Sequence, residues 1–149
     1  MSSVLRRAVV LASGLVALFS LTQAPAQAAT QAVSCSGTNI FSKTVDGLGE
    51  LVIYYNSTNG GTNSACFYHR GAAYGKSSYT YVVISRCTER SGEGQPCTPA
   101  VSSQPDDGEF AYQAGPVGVT GTANYCVSAS GHLNWGGRYH AVESGRQGC

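Results

Sequence analysis

Six cysteines constrain this chain more than any other feature. Cys35, Cys66, Cys87, Cys97, Cys126 and Cys149 all follow an apolar N-terminal segment, and their number is even. In an exported chain that pattern predicts three disulfides, and six cysteines allow fifteen pairings. Cys87 and Cys97 enclose a polar stretch containing Gly and Pro, Thr88 to Pro96, and are the expected local pair. For the other four, Cys35–Cys66 and Cys126–Cys149 are expected only as nearest neighbours in sequence. Cys149 is the last residue given, so its bridge would keep the C-terminus from fraying.

The inference of oxidation rests on residues 1–28, which have the three parts of a signal peptide. Arg6 and Arg7 form a positive start, and Ala8 to Leu21 carries no charge. The polar Thr22 to Ala28 closes on Ala26-Gln27-Ala28, with small side chains where signal peptidase needs them. Cleavage there would leave Ala29 first. The apolar run is shorter than the roughly 20 residues of a membrane-spanning helix, so an anchor is not expected. The Arg pair suits general or twin-arginine export, and the residues after it add little to the second. Cys35 lies too far beyond the apolar run to accept a lipid.

Removing 28 residues from 149 leaves 121, the size of one domain, residues 29–149. A chain of this length can bury a core, so disulfides reinforce packing rather than replace it. The whole chain has 9 basic and 8 acidic residues. Without Arg6 and Arg7 no basic stripe survives, which argues against nucleic acid and against an anionic membrane surface as partners.

Beyond the leader there is no repeat, heptad pattern or long amphipathic helix. Short β-rich runs alternate with Gly, Asn and Ser clusters. A strand from Glu50 would place Leu51, Ile53 and Tyr55 on one face, and Cys66 to His69 reads as another. Tyr79 to Arg86 is apolar on both faces, with Tyr79, Tyr81 and Val83 on one and Val82 and Ile84 on the other, so it is expected to be central. Glu109 to Ala114 alternates, with Phe110 and Tyr112 inward. Val117 to Thr120, Tyr125 to Ala129 and Arg138 to Glu143 complete the set. Asn59-Gly60-Gly61 is a tight-turn signal. The expected fold is all-β, a small disulfide-stapled sandwich or barrel of about seven to eight short antiparallel strands. Ser91 to Gly108 reads as an irregular surface loop.

The chemistry is sparse. Cys66-x-x-His69 has metal-like spacing, and His132 or His140 would extend it. A cysteine in a disulfide cannot supply a thiolate, so no metal or other cofactor is expected. No G-x-S-x-G elbow singles out a serine, and no catalytic residue is assigned. Asp106-Asp107-Gly108-Glu109 reads as a solvated turn rather than a catalytic pair or a calcium site. Asn56-Ser57-Thr58 matches a glycosylation acceptor, which carries little weight behind a bacterial-looking signal. Nine tyrosines and one tryptophan are the most suggestive feature. A sugar-binding site would combine Asn134, Trp135, Arg138 and Tyr139, against the plainer reading that these aromatics serve packing.

Several segments together resemble the spore-associated protein A family of secreted actinomycete proteins. They are Cys35-Ser36-Gly37, Leu51 to Asn56 leading to Cys66, Tyr112 to Val117, Cys126-Val127, Trp135-Gly136-Gly137 and Cys149. The Cys87–Cys97 loop is an addition to that pattern, and the spacing from Cys126 to Trp135 is longer. The resemblance implies a small exported protein found with spores or the cell surface, and it supplies no catalytic residue. The leading expectation is therefore a secreted, non-enzymatic protein of the spore or cell surface, whose partner is a surface polysaccharide or protein. The alternatives are a carbohydrate- or cell-wall-binding module using Trp135 and nearby tyrosines, and a secreted hydrolase or hydrolase inhibitor.

Overall fold

The computed structural model describes residues 33–149, so the signal-peptide assignment over 1–28 lies outside the described residues. Nine antiparallel strands form two sheets. The first sheet contains β1 (Thr38–Val45), β2 (Gly49–Asn56), β3 (Thr62–His69) and β7 (Gln113–Thr120), in the order β1-β2-β3-β7. In the second, β4 (Ser78–Cys87) pairs with β8 (Val127–Trp135), which pairs with β9 (Arg138–Glu143). The other edge of β4 is shared by β5 (Pro99–Ser102) and β6 (Asp106–Phe110).

The sandwich core follows from strand alternation. Leu51 and Ile53 from β2, Phe67 from β3, Val82 and Ile84 from β4, and Val127 and Leu133 from β8 are completely buried between the sheets. Phe67 occupies a slot that two glycines leave open. A Cβ on Gly49 would lie 2.3 Å from Phe67 Cζ, and one on Gly131 would lie 2.5 Å from its Cδ2. Strand β4 is central in its sheet, as its apolar character suggests. Only its Val82–Ile84 face meets the other sheet, and Tyr79, Tyr81 and Val83 face outward.

The three disulfides are Cys35–Cys66, Cys87–Cys97 and Cys126–Cys149, and no described cysteine is free. Such bridges persist in oxidising, extracytoplasmic compartments. Among the described residues no helix is long and apolar enough to cross a membrane. The C-terminus is held by more than its bridge. Arg146 ties the Cys87–Cys97 loop through Glu89 (3.1 Å), the Pro96 carbonyl (2.7 Å) and the Ser91 carbonyl (2.9 Å). Strand β8 also bonds Gln147 in both directions.

Several expectations from the sequence need correction. Strand β1 is not announced by the sequence because it is a polar, partly exposed edge strand, and its Lys43 suits an edge. Ser91 to Gly108 is not wholly irregular, since it contains β5 and the start of β6. Glu109 to Ala114 is not one strand. The chain leaves β6 after Phe110 and enters the other sheet at Gln113. Tyr112 therefore sits at a crossing instead of facing inward, 57% exposed and edge-on to Tyr74. The Gly115-Pro116 peptide is cis and lies at a register shift of edge strand β7, where a proline removes no needed ladder bond.

Candidate functional site

The outer face of the second sheet carries the cluster with the most recognition chemistry. Alternation in β4 turns Tyr79, Tyr81, Val83 and Ser85 outward, while β8 presents Ser128, Ser130, His132 and Asn134. Tyr139, Ala141 and Glu143 follow from β9. The ladder places Tyr81 opposite His132 and Asn134 opposite Tyr139. An aromatic row consequently crosses three strands. His132 stacks on Tyr81 at 4.9 Å between ring centres, and Tyr139 lies 4.1 Å away on a tilted plane.

Polar contacts hold this row in place. The Tyr139 hydroxyl bonds His132 Nδ1 at 2.8 Å. Tyr79 donates its hydroxyl to Asp107 Oδ2 at 2.7 Å, and Asp107 stands opposite Tyr81 in the β4–β6 ladder. The acidic cluster is thus part of a strand rather than a solvated turn. Strand alternation sends Asp107 to the outer face, whereas Asp106 accepts the Gly115 amide at 2.6 Å. Burial pushes the His132 pKa below its ordinary value, with the Asp107 charge acting weakly the other way. The bond to Asp107 raises the pKa of the Tyr79 phenol.

Beside the row lies a hollow of about 470 Å³, walled by Tyr79, Tyr81, His132 and Tyr139 and ending at Glu143. A second hollow of about 250 Å³ continues along the same face past Ser128, Pro96, Cys97 and Pro99. Ser130 and Glu143 border both, so together they form one open trough. The Cys87–Cys97 bridge fixes its far wall.

The pleat divides the four residues expected to bind sugar. Asn134 and Tyr139 share the outer face. Trp135 is half-buried and packs against the core from the opposite face, with Arg138 as its ladder partner. In the sequence His132 reads only as a metal donor, and Tyr79 and Tyr81 only as strand residues. Their outward alternation on a strand whose other face is core was the available signal.

The remaining histidines lie elsewhere. His69 is fully buried, bonded to the Ala73 carbonyl at 3.2 Å and the Thr80 hydroxyl at 2.7 Å. His140 pairs with Asp46 at 2.6 Å. The three do not converge, and Cys66 is committed to its disulfide. Cys87, Glu89 and Cys97 lie close enough to share a metal, but both sulfurs belong to one bridge.

By architecture the chain is a disulfide-crosslinked antiparallel β-sandwich with an aromatic trough on one sheet face. No protein-family model, curated protein or solved structure matches it.

Proposed function

We propose that this protein is a non-enzymatic, extracellular carbohydrate-binding protein of the cell or spore envelope, and that the trough on the second sheet is its binding surface. One observation carries the reading. Tyr139 is 64% exposed at the open end of the Tyr81–His132–Tyr139 row, beside a hollow large enough for sugar rings. An exposed phenol presents an apolar ring and a polar tip together, as a pyranose needs. The hydroxyls of Ser128 and Ser130 and the carboxylate of Glu143 add polar groups along the trough. The resemblance to the spore-associated protein A family favours the envelope as the setting.

The non-enzymatic part rests on the placement of the bases. Among the described residues, no histidine bonds a serine hydroxyl or a thiol. The single His–Thr contact, His69 to Thr80, is closed to solvent. Nucleophilic catalysis of the Ser–His or Cys–His kind requires such a pair within reach of substrate.

Pull-down on cell-wall polysaccharides and chitin tests the reading. Tyr139→Ala should fold normally and lose most retention, and no reducing ends should be released. Trp135→Ala should lower stability while the folded fraction still binds. Retention unaffected by Tyr139→Ala would remove the trough from consideration.

A further inference from the structure

The trough has a charge asymmetry that narrows its ligand. Glu143 is the only charged residue lining either hollow, and it borders both, which puts its carboxylate midway along the trough. Among the described residues it has no ion-pair partner, since the three pairs use Glu50, Asp46 and Glu89. Asp107 adds a second negative charge by the aromatic wall, and its contact there is the neutral Tyr79 hydroxyl. No Lys or Arg lines the surface. Burial of His132 pushes its pKa down, which disfavours a positive charge on the ring. The groups facing that ring are Tyr79 and Tyr81 on β4, Asp107 on β6 and Tyr139 on β9.

We infer that the trough selects a glycan bearing free, protonated amines, a glucosamine-type polymer, over neutral N-acetylated or uronate-bearing glycans. This rests on the carbohydrate-binding reading and deepens it. An ammonium group beside Glu143 would gain Coulomb attraction from its carboxylate. Exposed tyrosine rings add a cation–π component, since a cation is drawn to the negative face of a ring. An anionic sugar would meet an uncompensated carboxylate instead, a costly juxtaposition. A basic peptide offers the same charge but fits the surface less well. The trough lies on the face of β4, β8 and β9 rather than along the free edge of β9, so a peptide seated in it would not extend the sheet.

The test compares matched β-1,4-linked oligomers of glucosamine and N-acetylglucosamine in mildly acidic, low-salt buffer, with affinity measured by titration calorimetry. The deacetylated oligomer should bind at least about tenfold more tightly, a difference of about 1.4 kcal/mol. Glu143→Gln should erase most of that difference, and added salt should shrink it. Glu143 is exposed on an edge strand, so the variant should melt like the parent. Equal affinity for both oligomers overturns the charge inference and leaves the carbohydrate reading standing. Oligolysine competing as well as the glucosamine oligomer overturns it in favour of a basic peptide. Binding to neither oligomer nor to any cell-wall polysaccharide removes the underlying reading as well.

Discussion

The two outer faces of the sandwich use similar residues to opposite ends. On the first sheet, Glu50 pairs with Arg70 at 2.7 Å and also accepts the Ser42 hydroxyl, while Tyr54 and Tyr68 join hydroxyls at 3.0 Å. Arg70 lies over the Tyr68 ring, and Cys35 clips the preceding segment to β3. Ser64 donates to the Ser34 carbonyl within the same patch. Each of these polar groups has a protein partner. On the second sheet the tyrosines stack on a histidine, and among the described residues Glu143 and Asp107 form no ion pair. A face that satisfies itself contributes to stability, whereas a face that leaves charge and aromatic surface open is suited to a ligand.

Four experiments sharpen or break that contrast, in order of expected effect. Replacing Cys35 and Cys66 together by serine should lower stability by about 2–4 kcal/mol, read by denaturant unfolding. Glycan affinity of the folded protein should not change. A comparable loss of affinity would show that the two faces are not independent. Next, Gly131→Ala drives a methyl into Phe67 directly behind the trough. A destabilisation of about 1–3 kcal/mol is expected from overpacking, together with weaker binding as the neighbouring His132 shifts.

Arg70→Ala removes a partly exposed ion pair and a ring contact from the self-satisfied face. Its expected cost is only about 0.2–1 kcal/mol, smaller at high salt, again with binding intact. The smallest effects are those of pH. Because burial lowers the His132 pKa, the unfolded chain binds that proton more readily than the folded one. Stability from this group is complete above the ordinary histidine range and declines as pH falls from there towards the lowered folded pKa. His132→Gln should flatten that part of the stability profile, and NMR titration should place the ring below ordinary imidazole. Glu89 gives a separate signal at lower pH. Hydrogen bonds from Thr98 hold its carboxyl down to about 2. Its contribution is complete above the normal carboxylate range and declines as pH falls towards that value, so proteolysis of the Cys87–Cys97 loop should rise first in acid.

Strands with strong alternation and β-branched or aromatic residues are legible in the sequence, as Leu51 to Tyr55 and Tyr79 to Arg86 illustrate. Exposed edges such as β1 and β5 are not, because they bury little and carry no regular hydrophobic period. The crossing at Ala111–Tyr112 is hidden for a related reason. Its alternation is continuous through Phe110 and Tyr112, yet hydrogen bonding divides it between two sheets. For the candidate site, composition points to aromatics but to the wrong centre. Trp135 stands out in sequence, while the pleat turns it towards the core and brings Tyr79, Tyr81, His132 and Tyr139 together.

From composition and local pattern alone, this protein was bound to be all-β and crosslinked through its cysteines, because strand periodicity and cysteine number are properties of short stretches and simple counts. The pairing of strands across two sheets, the meeting of Tyr81 with His132, and the lack of an ion-pair partner for Glu143 among the described residues were decided only by the tertiary structure. Those relations join residues dozens of positions apart, and one residue of register shift would send each side chain to the opposite face.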